Sequence, residues 1–126
     1  MHRLPHLEKN YIKRDTFILL GADLPFFYRN YKITDAKVLL KVNWAKLEIL
    51  KFNNNQITNI NDLKQFNFNE LKFLDLNNNK ISDIKVLEKV KFKKLEKLDL
   101  RRNEIDLTQN NLIISKLRPL LEEFMI

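Results

Sequence analysis

Cysteine is absent from this chain, which removes disulfides, thiolate catalysis and cysteine-based zinc sites. A small secreted domain of repeats would usually staple its ends with cysteines, so the composition points to an intracellular setting, cytoplasmic or nuclear. There is a single glycine, Gly21, so no glycine-rich loop can cradle a phosphate and no flexible linker is visible. The two histidines, His2 and His6, sit near the N-terminus around Pro5, where a frayed end is a better reading than a metal site. Two serines and four threonines occur, none in the setting of a nucleophile elbow. No apolar run approaches membrane-spanning length, and Phe17–Ala22 is too short for a signal core and runs straight into Asp23. Asn-x-Ser/Thr sequons are also missing. These absences leave a non-catalytic reading with no cofactor and no metal.

What is present is a phrase repeated at an interval of 24 residues. LEILKFNNNQI (47–57), LKFLDLNNNKI (71–81) and LEKLDLRRNEI (95–105) each read L-x-x-L-x-L-x-x-N-x-I, with Phe52 as the apolar variant. A repeat of this length means stacked units, each too small to bury its own apolar face. With 126 residues and 44% apolar content, the chain is one domain.

Within the unit the period changes. Leucines at positions 4 and 6, with polar residues at 5 and 7, have the spacing of a strand with one buried face. Position 12 holds Thr58, Ser82 and Asp106, all favourable helix N-caps. Positions 14, 17 and 20 follow as Ile60, Leu63 and Phe66, then Ile84, Leu87 and Val90, which is one face of a short α or 3₁₀ turn. Phe68 and Phe92 close the unit at position 22. Stepping back 24 residues finds an eroded first unit, with Ile33, Thr34, Ala36, Leu39, Val42 and Trp44 in the later slots and Pro25, Phe27, Arg29 and Tyr31 in the strand half. The fourth unit departs too: Leu112, Ile113 and Leu117 predict a longer helix over about 108–118, stopped by Pro119, and residues 120–126 form a last edge strand.

The three phrases resemble the leucine-rich repeat family, and the downstream I-x-x-L-x-x-V/F pattern is similar to its phosphatase-regulator-like subclass. The resemblance implies an α/β fold: a right-handed solenoid with a concave parallel β-sheet of about four strands, short helices on the convex side and a cap at each end. The boundaries expected are an N-terminal cap over 1–22, repeats over 23–46, 47–70, 71–94 and 95–118, and a C-terminal cap over 119–126. In the N-terminal cap, Leu7, Tyr11, Ile12, Phe17 and Leu20 could line a helix. A strand feeding a helix and returning to a parallel strand agrees, since such crossovers are strongly right-handed. Members of the family are mostly protein-binding modules.

The position-9 asparagines, Asn55, Asn79 and Asn103, fall where the strand must turn sharply and leave backbone groups without ladder partners. An amide has both donors and an acceptor to satisfy them, so a structural ladder starting at the second unit is expected. Strand alternation aims positions 3, 5 and 7 at the concave face. The rows are then Pro25, Ile49, Phe73 and Lys97; Phe27, Lys51, Asp75 and Asp99; and Arg29, Asn53, Asn77 and Arg101. Ile49 and Phe73, with Phe27 nearby, form a small apolar patch ringed by polar groups, as a hot spot is built; packing beneath the N-terminal cap is the plainer reading. Asp75 and Asp99 fall in one row, where Lys51, Lys97 and Arg101 would compensate them in a solvated, salt-bridged face, and no further oxygen ligands suggest a metal. The convex side carries Lys85, Lys89, Lys91, Lys93 and Lys94, with Lys37, Lys41 and Lys64 besides.

The sequence therefore predicts a module that binds another protein or peptide on its concave face, compatible with a place in a larger complex and without a membrane. The alternative is a ribonucleoprotein component that contacts RNA phosphates through its basic surface, a use that the net charge of +7 permits without requiring.

Overall fold

A computed structural model describes residues 16–18, 45 and 47–126 of the chain. Five three-residue strands form one parallel sheet in chain order: β1 (Thr16–Ile18), β2 (Ile49–Lys51), β3 (Phe73–Asp75), β4 (Lys97–Asp99) and β5 (Glu123–Met125). Between them lie short 3₁₀ turns at Asn61–Gln65 and Lys85–Glu88, then helix α1 (Asn111–Leu117), which runs into a further 3₁₀ turn at Arg118–Leu120.

The register carries the repeat into space. Ile49 is opposite Phe73 and Phe73 opposite Lys97, so equal positions of successive units are strand neighbours. Leu50, Leu74 and Leu98 stand in one column, each fully buried. Phe52, Leu76 and Leu100 form a second buried column, and Ile57 and Ile81 a third that partly buried Ile105 joins. Beneath the sheet, Ile60, Leu63, Phe66 and Phe68 of one unit meet Ile84, Leu87, Val90 and Phe92 of the next. The Phe68 and Phe92 rings stack at 6.0 Å between centroids, and Phe66 meets Phe68 edge-on at 5.4 Å, arrangements favoured by the ring quadrupoles. No unit closes its own core, which is why they stack.

The asparagines tie neighbouring units together. Asn79 Nδ2 donates to the Phe52 carbonyl at 3.1 Å and the Leu76 carbonyl at 3.0 Å, while its Oδ1 accepts the Ile57 N–H at 3.1 Å. Asn103 repeats the pattern one unit on, donating to the Leu76 and Leu100 carbonyls and accepting the Ile81 N–H. Asn55 donates to the carbonyls of Phe52 and Asn53. Just before each of these, the chain enters the left-handed region, at Asn54 (φ 59°), Asn78 (φ 56°) and Arg102 (φ 57°). Asparagine tolerates this conformation locally; arginine has no such means. Asn78 Nδ2 also donates to Asn54 Oδ1 at 2.7 Å, an exposed rung that Arg102 does not extend.

Several expectations are corrected. The first described strand is not where a 24-residue step would put it: Thr16, not Pro25, is opposite Ile49, and Ile18, not Phe27, is opposite Lys51. Proline has no N–H to give a ladder, whereas Thr-Phe-Ile suits a pleated strand. Phe17 accordingly lies in a strand and not in a helix. Phe27, Arg29, Tyr31 and Trp44 lie outside the described residues, as do Lys37, Lys41 and both histidines. The side chains that meet backbone N–H groups at the first two 3₁₀ turns are Asn59 and Asp83, one residue after Thr58 and Ser82, at 2.8 and 2.9 Å; a tight turn begins later than an α-helix would. Asp106 accepts the N–H groups of Thr108 and Gln109 in the turn ahead of α1, whose N-cap position falls to Asn110 instead. Helix α1 is shorter than foreseen and buries Ile113, Ile114 and Leu117, leaving Leu112 66% exposed.

A residue that carried no signal in the repeat completes the last unit. Asn110 is buried; its Oδ1 accepts the Ile84 N–H, and its Nδ2 donates to the carbonyls of Ser82 and Asp106. It occupies the slot of Val86 one unit earlier, so the apolar columns gave no warning of it.

N79A should cost roughly 1–3 kcal/mol, because buried backbone groups lose their partners; chemical denaturation of the variant measures this. R102N should be stabilised by roughly 1 kcal/mol, since the substitution relieves the left-handed strain. An unchanged denaturation midpoint in R102N would show that arginine carries no strain there.

Candidate functional site

The sheet face turned away from the core is the surface that the sequence-predicted residues share. Leu74 and Leu98 enter the core, so the residues on either side of them, Phe73 and Asp75, Lys97 and Asp99, point the other way. The structure brings together Ile49 with Phe73 and Lys97 in one row, and Lys51 with Asp75 and Asp99 in the next. Glu123 and Met125 extend these rows at the far edge.

The face is not uniform. At the β2–β3 end Ile49 and Phe73 are partly buried neighbours, and the Lys51 ammonium lies 5.9 Å from the Phe73 ring centroid, a placement that the negative ring face favours. At the β4–β5 end, charges pair along and across the rows: Lys97 with Glu123 at 3.4 Å, and Arg101 with Asp99 at 2.8 Å. Partly buried Asn53 has its Oδ1 enclosed without a hydrogen-bond partner. Asn77 spans two strands, donating through Nδ2 to Asp75 Oδ1 at 2.7 Å and, more weakly, to Asp99 Oδ2 at 3.5 Å.

The two aspartates are not the solvated pair expected. Asp75 is 7% exposed and Asp99 3%. Nor do three cations share them: Lys97 turns to Glu123 and Lys51 to the Phe73 ring, leaving Arg101 for Asp99. Short strands with crowded neighbours bury the base of the face even on its outer side. Each carboxylate accepts the N–H two residues on, Asp75 from Asn77 and Asp99 from Arg101, both at 3.1 Å. This is the local turn that aspartate side chains make.

Their titrations diverge. Burial pushes the Asp75 carboxyl above the usual aspartate range and the nearby Asp99 charge adds to it, against the bonds from Asn77 and the attraction of Lys51. Burial also raises Asp99, but the Arg101 bonds and charge together outweigh it and hold that carboxyl below the usual range. Among the described residues, no three histidine, cysteine, aspartate or glutamate side chains converge as metal ligands.

Of the lysines on the other side, Lys94 pairs with Glu70 at 2.7 Å, and Lys116 pairs with Glu88. Lys85, Lys89, Lys91 and Lys93 are exposed with no ion pair among the described residues. The rings that could have stacked on bases, Phe68 and Phe92, stack on each other in the core. No helix among the described residues is long and apolar enough to cross a membrane.

Because the two carboxyls shift in opposite directions, their amide variants should differ in sign. Asp75 is raised in the folded state, so the native fold loses stability as pH climbs from the usual aspartate range through the raised value. D75N should therefore match or exceed the parent in stability at pH 7, with the gain vanishing at acid pH. Asp99 is lowered, so its contribution is present above the usual range and is lost as pH falls through the folded value. D99N should lose on the order of 1 kcal/mol at pH 7 and converge with the parent in acid. Denaturant titrations of both variants across pH 3–7 check the two signs together.

Residues 69–122 match a family model described as Leucine Rich repeats (2 copies). No curated protein and no solved structure matches the chain significantly. The matched stretch holds the second and third phrases, β3, β4 and α1. The matched units and the strand register coincide, so residues 69–122 are similar to leucine-rich repeats in sequence and in the order of their strands.

Proposed function

We propose that this chain is a non-catalytic interaction module that binds another protein or peptide on the outer face of its sheet. Leucine-rich repeat domains generally mediate protein–protein interaction. The observation that carries the reading here is the pairing of Ile49 with Phe73 at adjacent register positions on the face away from the core. Solvent-facing strand positions have no need of large apolar side chains. An apolar centre with polar surroundings is the composition of an interface hot spot. Lys51, Asn53, Asp75, Asn77, Lys97, Asp99 and Arg101 surround it and would set register and orientation.

In this proposal the stack is a right-handed solenoid, with the sheet on its concave side. Residues 119–126, with β5, form the C-terminal cap. The 3₁₀ turns after β2 and β3 support kinship with the phosphatase-regulator-like subclass. An intracellular site of action, cytoplasmic or nuclear, follows from the lack of cysteine in a small repeat domain.

The second reading, RNA phosphate binding, draws on exposed lysines such as Lys85, Lys89, Lys91 and Lys93 that have no ion pair among the described residues. It is weaker, because no aromatic stacking platform accompanies them among the described residues.

I49A and F73A should each lower partner affinity while leaving the denaturation midpoint within about 1 kcal/mol of the parent, since both residues are only partly buried. A pull-down from native extract with the parent and the I49A/F73A double variant identifies the partner. Unchanged capture by the double variant would remove the site. Capture that collapses between low and moderate salt, with nucleic acid in the eluate, would favour the phosphate reading instead.

A further inference from the structure

Asp75 is the odd member of the sheet face. Alternation places it beside Phe73 on the outer side, yet it is 7% exposed. A carboxylate removed from water needs donors in its place. Asp99, one strand over, has a full set: Oδ1 accepts from the Arg101 N–H and Nε, and Oδ2 from Arg101 Nη2. Asp75 has half of one. The Asn77 N–H and Nδ2 converge on its Oδ1, and no described residue donates to its Oδ2. No cation stands within ion-pair distance of it among the described residues, because Lys51 lies over the Phe73 ring instead.

On the reading that this face is the docking surface, we infer that Asp75 is its polar anchor, and that the partner presents a basic side chain, arginine or lysine, next to an apolar one. The basic head pairs with Asp75 Oδ2, and the apolar neighbour rests on Ile49 and Phe73. Charge complementarity selects this occupant. The neighbouring charges are already neutralised in place, as Lys97–Glu123 and Asp99–Arg101. Any partner that covers the face completes the desolvation of Asp75, and a covered, unpaired carboxylate is strongly unfavourable. An acidic group drawn to Lys51 would leave that carboxylate buried without a counter-ion. A basic group supplies the missing donor and the missing charge in one step. Arginine, whose planar fork matches a carboxylate, does so most directly.

The test uses peptides selected from a random displayed library on the immobilised full chain, then measured in solution against the parent, D75N, I49A/F73A and K51M. The selected peptides should carry arginine or lysine within a few residues of an aromatic or aliphatic side chain. Their affinity should fall tenfold or more in D75N and in I49A/F73A. D75N keeps the Oδ1 acceptor for Asn77, and its denaturation midpoint serves as the folding control. Peptides that bind D75N like the parent but fail on I49A/F73A would overturn the anchor and leave the docking face standing. Peptides indifferent to both variants would overturn both. A selection that enriches acidic peptides lost on K51M, or enriches no basic peptide at all, also overturns the anchor.

Discussion

The amide of one asparagine per unit is the interaction on which the rest of this structure depends. Three-residue strands can stack in parallel at a 24-residue interval only if the chain turns away abruptly after each of them. The turn leaves carbonyl and N–H groups that the sheet cannot pair. Asn79 and Asn103 each take three carbonyls and one N–H, and one of those carbonyls and the N–H belong to the preceding unit. The same side chain therefore shapes its own turn and fixes the distance to its neighbour. Once that distance is fixed, the leucine columns close and the outer residues fall into rows.

Much of this was legible in the sequence because the signal was redundant. Leu50, Leu74 and Leu98 share one position, one chemistry and one burial, and the structure columns them without exception. The less legible parts were those where the repeat erodes. Before β2 the interval fails, because Pro25 cannot serve a ladder and Thr16–Ile18 takes the place. After β4 it stretches, so that Lys97 meets Glu123, and Asn110 fills a slot that held valine one unit earlier. Periodicity reports which residues are equivalent; where equivalence breaks, only the local chemistry remains to read.

Alternation also says which face a residue takes, but not how much water reaches it there. Alternation puts Asp75 and Asp99 on the outer side, yet both are buried. The Asp75 and Asp99 carboxylates are further drawn in by the N–H groups of Asn77 and Arg101. The resulting surface is outward in topology and half-interior in environment, which is the setting in which a few side chains can dominate recognition.

In a protein made of repeats, the informative positions are those where equivalent residues stop being equivalent. Asp75 and Asp99 occupy the same slot of adjacent units, accept the same backbone bond and are both buried. They differ because position 7 holds asparagine in one unit and arginine in the next. That one difference satisfies the Asp99 carboxylate within the chain and leaves Oδ2 of Asp75 without a donor from any described residue. A requirement of the fold alone would have been met alike in both units, since the asparagine ladder shows how uniformly this chain meets such requirements. An acceptor left incomplete, beside two apolar side chains that stability does not demand, is better explained by something that arrives from outside.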